Sequence, residues 1–338
     1  MAFDRLSDID SATDLEDVLQ PGTSVCDGQF RIASFLNSGG FGITYVARDR
    51  HHRDVVLKEC FVPALCRRSQ TRVKPRSEGS NAHLQKVILS FMAEAQILAS
   101  LSHPNIVRVH QVFNDNDTAY MALDYIKGHD LLEIVDERKA TLTPNQIVAL
   151  TRKLVSAVNH VHDRGVLHCD ISPDNICVRA DGEPVLIDFG SARTLVAGVG
   201  QKTDGFSMVK DGYSPPELYA AAGTCGPFSD IYALGASLYH AISGAAPVDA
   251  QTRLTAASEG RPDPVRPLAN AIPGYPPGFL ASIDKAMAVQ PAARHASAAQ
   301  WLQMLEPPAV STVRNVSLFR RHAVAPAQRV FQAQAQSA

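Results

Sequence analysis

No CxxC pair occurs among the six cysteines of this 338-residue chain (Cys26, Cys60, Cys66, Cys169, Cys177 and Cys225). That spacing argues against a zinc site and a disulfide framework, and favours reduced thiols in a cytosolic setting. The chain also lacks any run of about 18–20 uninterrupted apolar residues, so no membrane span is expected. Neither sign of charge dominates. A formal net charge of −2 argues against a whole-protein electrostatic role on nucleic acid or membrane. The opening MAFDRLSDID is polar and acidic where a secretory signal needs an apolar stretch, so the expected location is cytoplasmic. There is no internal repeat. What is present is an ordinary globular composition, 45% hydrophobic, enough for the core of one large domain or two average ones.

Residues 1–24 are acidic (Asp4, Asp8, Asp10, Asp14, Glu16 and Asp17 against Arg5) with a weak apolar pattern, and read as a mobile extension or one that folds onto something else. From Phe30 to Lys58 β-formers and glycines alternate as strand, glycine turn, strand, turn, strand. Residues 62–82 are irregular and basic (Arg67, Arg68, Arg72, Lys74, Arg76) and read as a solvated surface loop. The sharper alternative is a docking or anion-binding element that moves the next helix. That helix is expected from Leu84 to Leu101, with Leu84, Val87, Ile88, Phe91, Ala95 and Leu98 on one face and His103-Pro104 stopping it. Strands at Val107–Phe113 and Thr118–Tyr125 follow.

Beyond Gly128 the pattern turns helical. Pro144 opens a helix whose apolar residues recur at three- or four-residue spacing as far as Gly165, and further helices centre on Asp230–Ser243, Gly278–Val289 and Ala298–Leu305. Residues 307–338 carry Arg314, Arg320, Arg321 and Arg329 without an acid and end in an Ala/Gln-rich run. They read as a basic, disordered tail.

Between His168 and Gly190 the chain reads HCDISPDNICVRADGEPVLIDFG. Apolar runs at Ile176–Val178 and Val185–Ile187 flank a turn at Asp181-Gly182, so a hairpin would bring Asp170, Asn175 and Asp188 around one small space. Two carboxylates and an amide oxygen suit magnesium, which is held by one or two carboxylates plus substrate phosphates. An Asp-Gly hairpin is common in β-containing proteins, but it explains the turn and not the three polar residues.

With SGGFGITY, VVLKECF, FMAEAQILASLSHPNIV and SDIYALGASLYHAISG in order around that stretch, residues 28–306 resemble a protein kinase domain of the bacterial Ser/Thr type. The resemblance implies an α+β, two-lobed fold. A small antiparallel β-sheet lobe with one helix (28–127) would precede a larger α-helical lobe (128–306), flanked by an acidic extension (1–27) and the basic tail. It implies ATP and Mg2+ as cofactors and proteins with Ser/Thr hydroxyls as substrates, with no nucleic-acid partner. The acidic head and basic tail are candidates for contact with each other or with a partner.

The resemblance also implies roles by position. Leu36, Asn37, Ser38, Gly39, Gly40, Phe41 and Gly42 would form the loop over the phosphates, glycine allowing close backbone approach. Lys58 would contact the α- and β-phosphates and be held by an ion pair from Glu94. Asp170 would take or orient the substrate hydroxyl proton, and Asn175 and Asp188 would hold the metal. For the base, Thr44 and Val56 would lie above and Cys177 below, Leu123 at the back, Asp124 and Ile126 at the hinge, and Asp130 on the ribose. Glu217, Arg294 and Asp230 would be structural, Arg294 pairing with Glu217 and Asp230 anchoring the loop that carries Asp170.

The chain departs from the pattern at several positions. Asn37 replaces the first glycine of the loop, and asparagine tolerates left-handed backbone. Val56 replaces a smaller alanine. Cys169 replaces the arginine of His-Arg-Asp, removing the charge partner for a phosphate on the 188–217 segment, so activity is expected not to need phosphorylation there. Ser172 replaces a lysine and deletes a positive charge near the γ-phosphate. Two alternatives to an active kinase stand beside it: a kinase-fold binding module without catalysis, and a kinase-fold transferase acting on a non-protein substrate.

Overall fold

Alternation of apolar and polar residues over Phe30–Cys60 produces an antiparallel meander in the structure, a computed structural model. It describes residues 15–39, 42–137, 140–189, 193–194, 209–219, 225–269 and 271–306. The first strands are β1 (Ser24–Val25), β2 (Phe30–Gly39), β3 (Gly42–Asp49) and β4 (Asp54–Cys60). A hairpin, β5 (Cys66–Ser69) and β6 (Arg72–Pro75), leads into helix α1 (Glu78–Ala99), followed by β7 (Val109–Asp115) and β8 (Thr118–Asp124). The six-stranded sheet runs β1-β2-β3-β4-β8-β7. Helix α1 begins earlier than the apolar spacing predicts, because Ser77 caps it by accepting from Ser80 N–H. Its face of Leu84, Ile88, Phe91, Ala95 and Leu98 is buried, as the spacing predicts.

Period two along β4 divides its side chains. Val56 and Lys58 are half-buried on one face, while Val55, Leu57 and Glu59 are buried on the other. The register pairs Val56 with Val46 and Leu123, and Lys58 with Thr44 and Met121, so residues far apart in sequence share one surface.

One sequence expectation changes here and another is narrowed. The basic 62–82 segment is not a solvated loop. Its Arg68 side chain is 2% exposed and meets the fully buried Glu59. Arg68 Nη1 donates to Glu59 Oε1 at 3.1 Å, and Tyr45 donates to Oε2 at 2.9 Å. Tyr120 donates to Oε1 at 2.5 Å. A buried carboxylate is tolerated only with such partners, so the hairpin is bound to the sheet. Of the two readings of the acidic head, residues 17–19 take the second and fold onto the sheet. Val18 and Leu19 join the core, Leu19 N–H donates to Tyr45 at 3.2 Å, and Asp17 accepts from Arg68 N–H at 2.7 Å. Residues 1–14 and the tail 307–338 lie outside the described residues.

The second lobe opens with β9 (Gly128–Asp130) and the short helix α2 (Leu131–Asp136). Next come α3 (Pro144–His162), β10 (Val166–Leu167), β11 (Ile176–Arg179), β12 (Pro184–Leu186), β13 (Arg193–Thr194) and α4 (Pro216–Tyr219). The lobe closes with α5 (Pro227–Ser243), α6 (Ala250–Ser258), α7 (Phe279–Ala286) and α8 (Ala298–Leu305). Helix α3 starts where Pro144 predicts, with a capping box between Thr143 and Gln146. Helices α2, α4 and α6 are additions to the sequence expectation: α2 and α4 span only six and four residues, and α6 buries Ala250, Arg253 and Ala256 in place of a stripe of large apolar side chains. The Asp181-Gly182 hairpin is present as β11–β12, and β9 pairs with its other edge. Glycine is required at 128, since a Cβ there would lie 2.2 Å from Val178 O. The sole tryptophan, Trp301, is fully buried and donates to Ser282 Oγ at 3.2 Å.

Candidate active site

A cleft of about 420 Å3 runs between the sheet and the helical lobe. That volume lies within the roughly 300–1,000 Å3 of small-molecule sites. Its walls include Leu36, Asn37, Ser38, Thr44, Val56, Lys58, Leu123, Asp124, Ile126, Asp130, Asp170, Asn175, Cys177 and Asp188, all candidates from the sequence. Apolar walls (Leu36, Val56, Leu123, Ile126, Cys177) and charged groups (Lys58, Asp170, Asp188) share this one space. Met121, Leu132, Ile187, Phe189, Asp174 and Lys210 also line it and were not singled out by sequence.

Of the glycine loop, Gly40 and Phe41 lie outside the described residues. Gly39 borders open space, where a Cβ would meet nothing within 4 Å. Gly42 has a local reason for its identity, because a Cβ there would lie 2.5 Å from Glu59 O on the paired strand. Asp130 lines the cleft and also caps α2, accepting from Glu133 N–H at 2.7 Å. Asp124 turns its carboxylate to His110 Nε2 at 2.7 Å.

The loop carrying Asp170 is fixed from below. The buried Asp230 on α5 accepts from His168 N–H at 2.9 Å and Cys169 N–H at 2.8 Å, and pairs with His162 Nε2 at 2.8 Å. Burial alone would raise its carboxyl, but these donors outweigh burial and hold it below the usual carboxylate range. Asp230 thus has the anchoring contacts expected of it. Cys169, at φ +61°, and Asp188, at φ +53°, occupy the left-handed region that non-glycine residues seldom adopt. The Phe189 ring lies 4.3 Å from that of His168. Asn175 Nδ2 donates to Asp170 O at 2.8 Å and Oδ2 at 3.1 Å, which leaves the amide oxygen as its ligand atom.

Burial pushes the Asp170 carboxyl up to about 6, with Lys210 pulling it down and Asp188 and Asp174 adding to the rise. A carboxylate of that basicity suits proton acceptance near neutral pH. Lys58 pairs with Asp188. The expected ion pair between Lys58 and Glu94 is absent among the described residues. Burial pushes the Glu94 carboxyl up to about 8 against the pull of Lys58, and the Asp188 charge adds to it. A half-buried carboxyl that has not closed on its cation is less costly neutral than charged.

The charge that Ser172 removes from the sequence pattern returns from elsewhere. Lys210, just ahead of the GYSPPE segment, places Nζ 2.8 Å from Ser172 Oγ, 2.9 Å from Asp174 Oδ2 and 3.4 Å from Asp170 Oδ1. The available signal was the conjunction of a missing lysine at 172 and a lysine at 210, which only the fold brings together. Arg294, fully buried, makes the expected pair with Glu217, at 2.8 Å and 3.0 Å through its two terminal nitrogens.

Magnesium and a nucleotide triphosphate fit these groups. No cluster of three or more His, Cys, Asp or Glu among the described residues would hold a metal alone. One carboxylate and one amide oxygen facing a cleft instead suit a hard cation that shares phosphate oxygens.

The pattern for the protein kinase domain matches residues 32–263. The serine/threonine-protein kinase PknJ of Mycobacterium tuberculosis is 30% identical over 280 residues, covering 80% of this chain and 44% of that protein. The serine/threonine-protein kinase PknA of Nostoc sp. is 29% identical over 288 residues, covering 83% of this chain and 47% of that one. This chain therefore spans less than half the length of either relative. The solved apo form of PpkA-294 matches with TM-score 0.69 at 33% identity, over 86% of this chain and 100% of its own. No described helix is long and apolar enough to cross a membrane.

Proposed function

Because this chain belongs to the protein kinase family, we propose that it transfers the γ-phosphoryl group of ATP to serine or threonine hydroxyls of protein substrates in the cytoplasm. The observation that carries this reading is the convergence of Lys58, Asp170, Asn175, Asp188 and Lys210 on a cleft with apolar walls. The adenine belongs against Val56, Leu123 and Cys177, with the hinge backbone of Asp124 and Ile126 meeting its edge and Asp130 the ribose. Asn37, Ser38 and the glycines after them cover the phosphates.

Phosphoryl transfer asks for positioning and charge neutralisation more than covalent help, so a sparse set of charged groups suffices. Asp188 and the Asn175 amide oxygen would hold magnesium, which when bound neutralises phosphate charge. Lys58 orients the phosphates, with Glu94 on α1 behind it. A carboxylate oxygen of Asp170 takes the proton of the acceptor hydroxyl, and Asn175 Nδ2 keeps that carboxylate turned toward the cleft. Lys210 offers a positive charge beside Asp170 at the place Ser172 leaves neutral.

Incubation with magnesium and γ-labelled ATP should label protein, and Asp188→Ala should abolish labelling while the circular-dichroism spectrum stays that of the parent. Bound ATP with no label moved in the parent would make the chain a binding module. Label moved only to small molecules would make it a different transferase. Phosphatase-treated protein should retain its rate, since Cys169 offers no cation to a phosphate on the following segment.

A further inference from the structure

Cys169 and Cys225 come from opposite sides of the junction between the catalytic loop and α5, and their sulfurs lie 3.1 Å apart. We propose that this pair is a site of reversible oxidation, closing to a disulfide on exposure to a hydroperoxide, and that closure slows the reaction at Asp170. The second half rests on the kinase reading above; the first does not.

Both sulfurs are held where they are by the fold. Cys169 N–H is bound to Asp230 Oδ1 at 2.8 Å, and Gly226, next to Cys225, donates to Ser229 Oγ at 3.1 Å. Two groups held in contact by anchored backbone react at a high effective concentration. Both cysteines are also half-exposed, whereas Cys60, Cys66 and Cys177 are buried. Burial pushes those three thiols up to about 12, 11 and 12, which disfavours the reactive thiolate.

The chemistry balances with the peroxide as sole oxidant. One thiolate attacks the terminal peroxide oxygen, the O–O bond breaks, and the alkoxide or hydroxide leaves and takes up a proton. The second thiol then attacks the resulting sulfenic acid at sulfur, the S–O bond breaks, and water departs. Two thiols lose two electrons and two protons, and the hydroperoxide becomes an alcohol and water, or two waters from hydrogen peroxide.

Bonded sulfurs sit about 2.05 Å apart, so closure draws the pair together by about 1 Å. Cys169 immediately precedes Asp170 and already holds a left-handed backbone at φ +61°. A displacement of that size at a reacting carboxylate costs up to about 10²-fold in rate. The apolar walls of the cleft are not involved, so ATP affinity is expected to stay within about twofold.

The test treats the full chain with hydrogen peroxide, blocks remaining thiols by alkylation, and maps peptides by mass spectrometry beside the phosphotransfer assay. A Cys169–Cys225 cross-linked peptide with at least a tenfold fall in kcat is expected, both reversed by dithiothreitol. Cys225→Ser and Cys169→Ser should each lose the cross-link and resist inactivation. Absence of the cross-link, or oxidation running on to sulfinic acid at either cysteine, would overturn the site. A cross-link with kcat unchanged, or equal inactivation of the serine variants, would overturn its effect on Asp170. Phosphotransfer absent from the reduced protein is a failure of the kinase reading, and the mass measurement still decides the disulfide.

Discussion

Lys210 and Ser172 meet in space at 2.8 Å although they stand on different loops, and their contact puts an ammonium beside the carboxylate that would take the acceptor proton. Lys210→Met should lower kcat by about 10²-fold, the scale of removing one preorganised charge from a reacting centre. Ser172→Lys added to that variant should recover part of the loss, which steady-state kinetics on the two proteins would measure. The pH profile gives a second prediction. With the Asp170 carboxyl at about 6, the base is ionised above that value and protonated below it, so log kcat/KM should fall with unit slope as pH drops through about 6. Lys210 pulls that carboxyl down, so Lys210→Met should move the acid limb of the profile to higher pH. An unmoved limb would mean that Lys210 only holds Ser172 and Asp174. Asp170, Asn175 and Asp188 were legible in the chain because a hairpin turn fixes their separation. Lys210 was not, because no local pattern links it to residue 172.

At the scale of elements, the β5–β6 hairpin is where sequence and structure part most. Five basic residues in an irregular stretch resemble a solvated loop, and Arg67, Arg72, Lys74 and Arg76 are indeed exposed, although three of them stand on the hairpin strands. The fifth, Arg68, reverses it. Its guanidinium, the Tyr45 and Tyr120 hydroxyls and Glu59 form one buried group that ties the hairpin, the sheet and Asp17 of the N-terminal segment together. Because β6 runs almost directly into the Ser77 cap of α1, the anchor also sets where that helix begins. Arg68→Met would leave Glu59 buried with its tyrosine donors alone, a loss of about 3 kcal/mol at the lower end of the range for a broken buried pair. Urea denaturation should show it as a lower midpoint at unchanged slope. The double variant Arg68→Met/Glu59→Gln should lose less than Arg68→Met alone, since no uncompensated charge then remains.

Across the whole molecule, Arg294 joins segments that no single element connects. Its guanidinium reaches Glu217 on α4, and it also donates to the Phe228, Ala288 and Val289 carbonyls. The side chain is fully buried, so Arg294→Met should cost about 3–5 kcal/mol by stranding Glu217 with Ser229 as its remaining donor. Trp301, the only tryptophan in the chain, reports from the buried core of the same lobe and would follow the transition by fluorescence in urea. An unchanged midpoint would mean that the helices of this lobe hold together without the pair.

Resemblance to protein kinases implied the two-lobed α+β fold, and the sequence by itself determined the main strands, helices α1, α3, α5, α7 and α8, and the polar groups of the catalytic stretch. Those depend on periodicity, caps and turns, which act over a few residues. Tertiary structure decided where charge resides. It closed Lys58 on Asp188 and left Glu94 half-buried without its cation, returned through Lys210 the cation missing at Ser172, buried Arg68 against Glu59, and set Cys169 against Cys225. Electrostatic pairing depends on distance and burial in space, and neither is written in the spacing of residues along the chain.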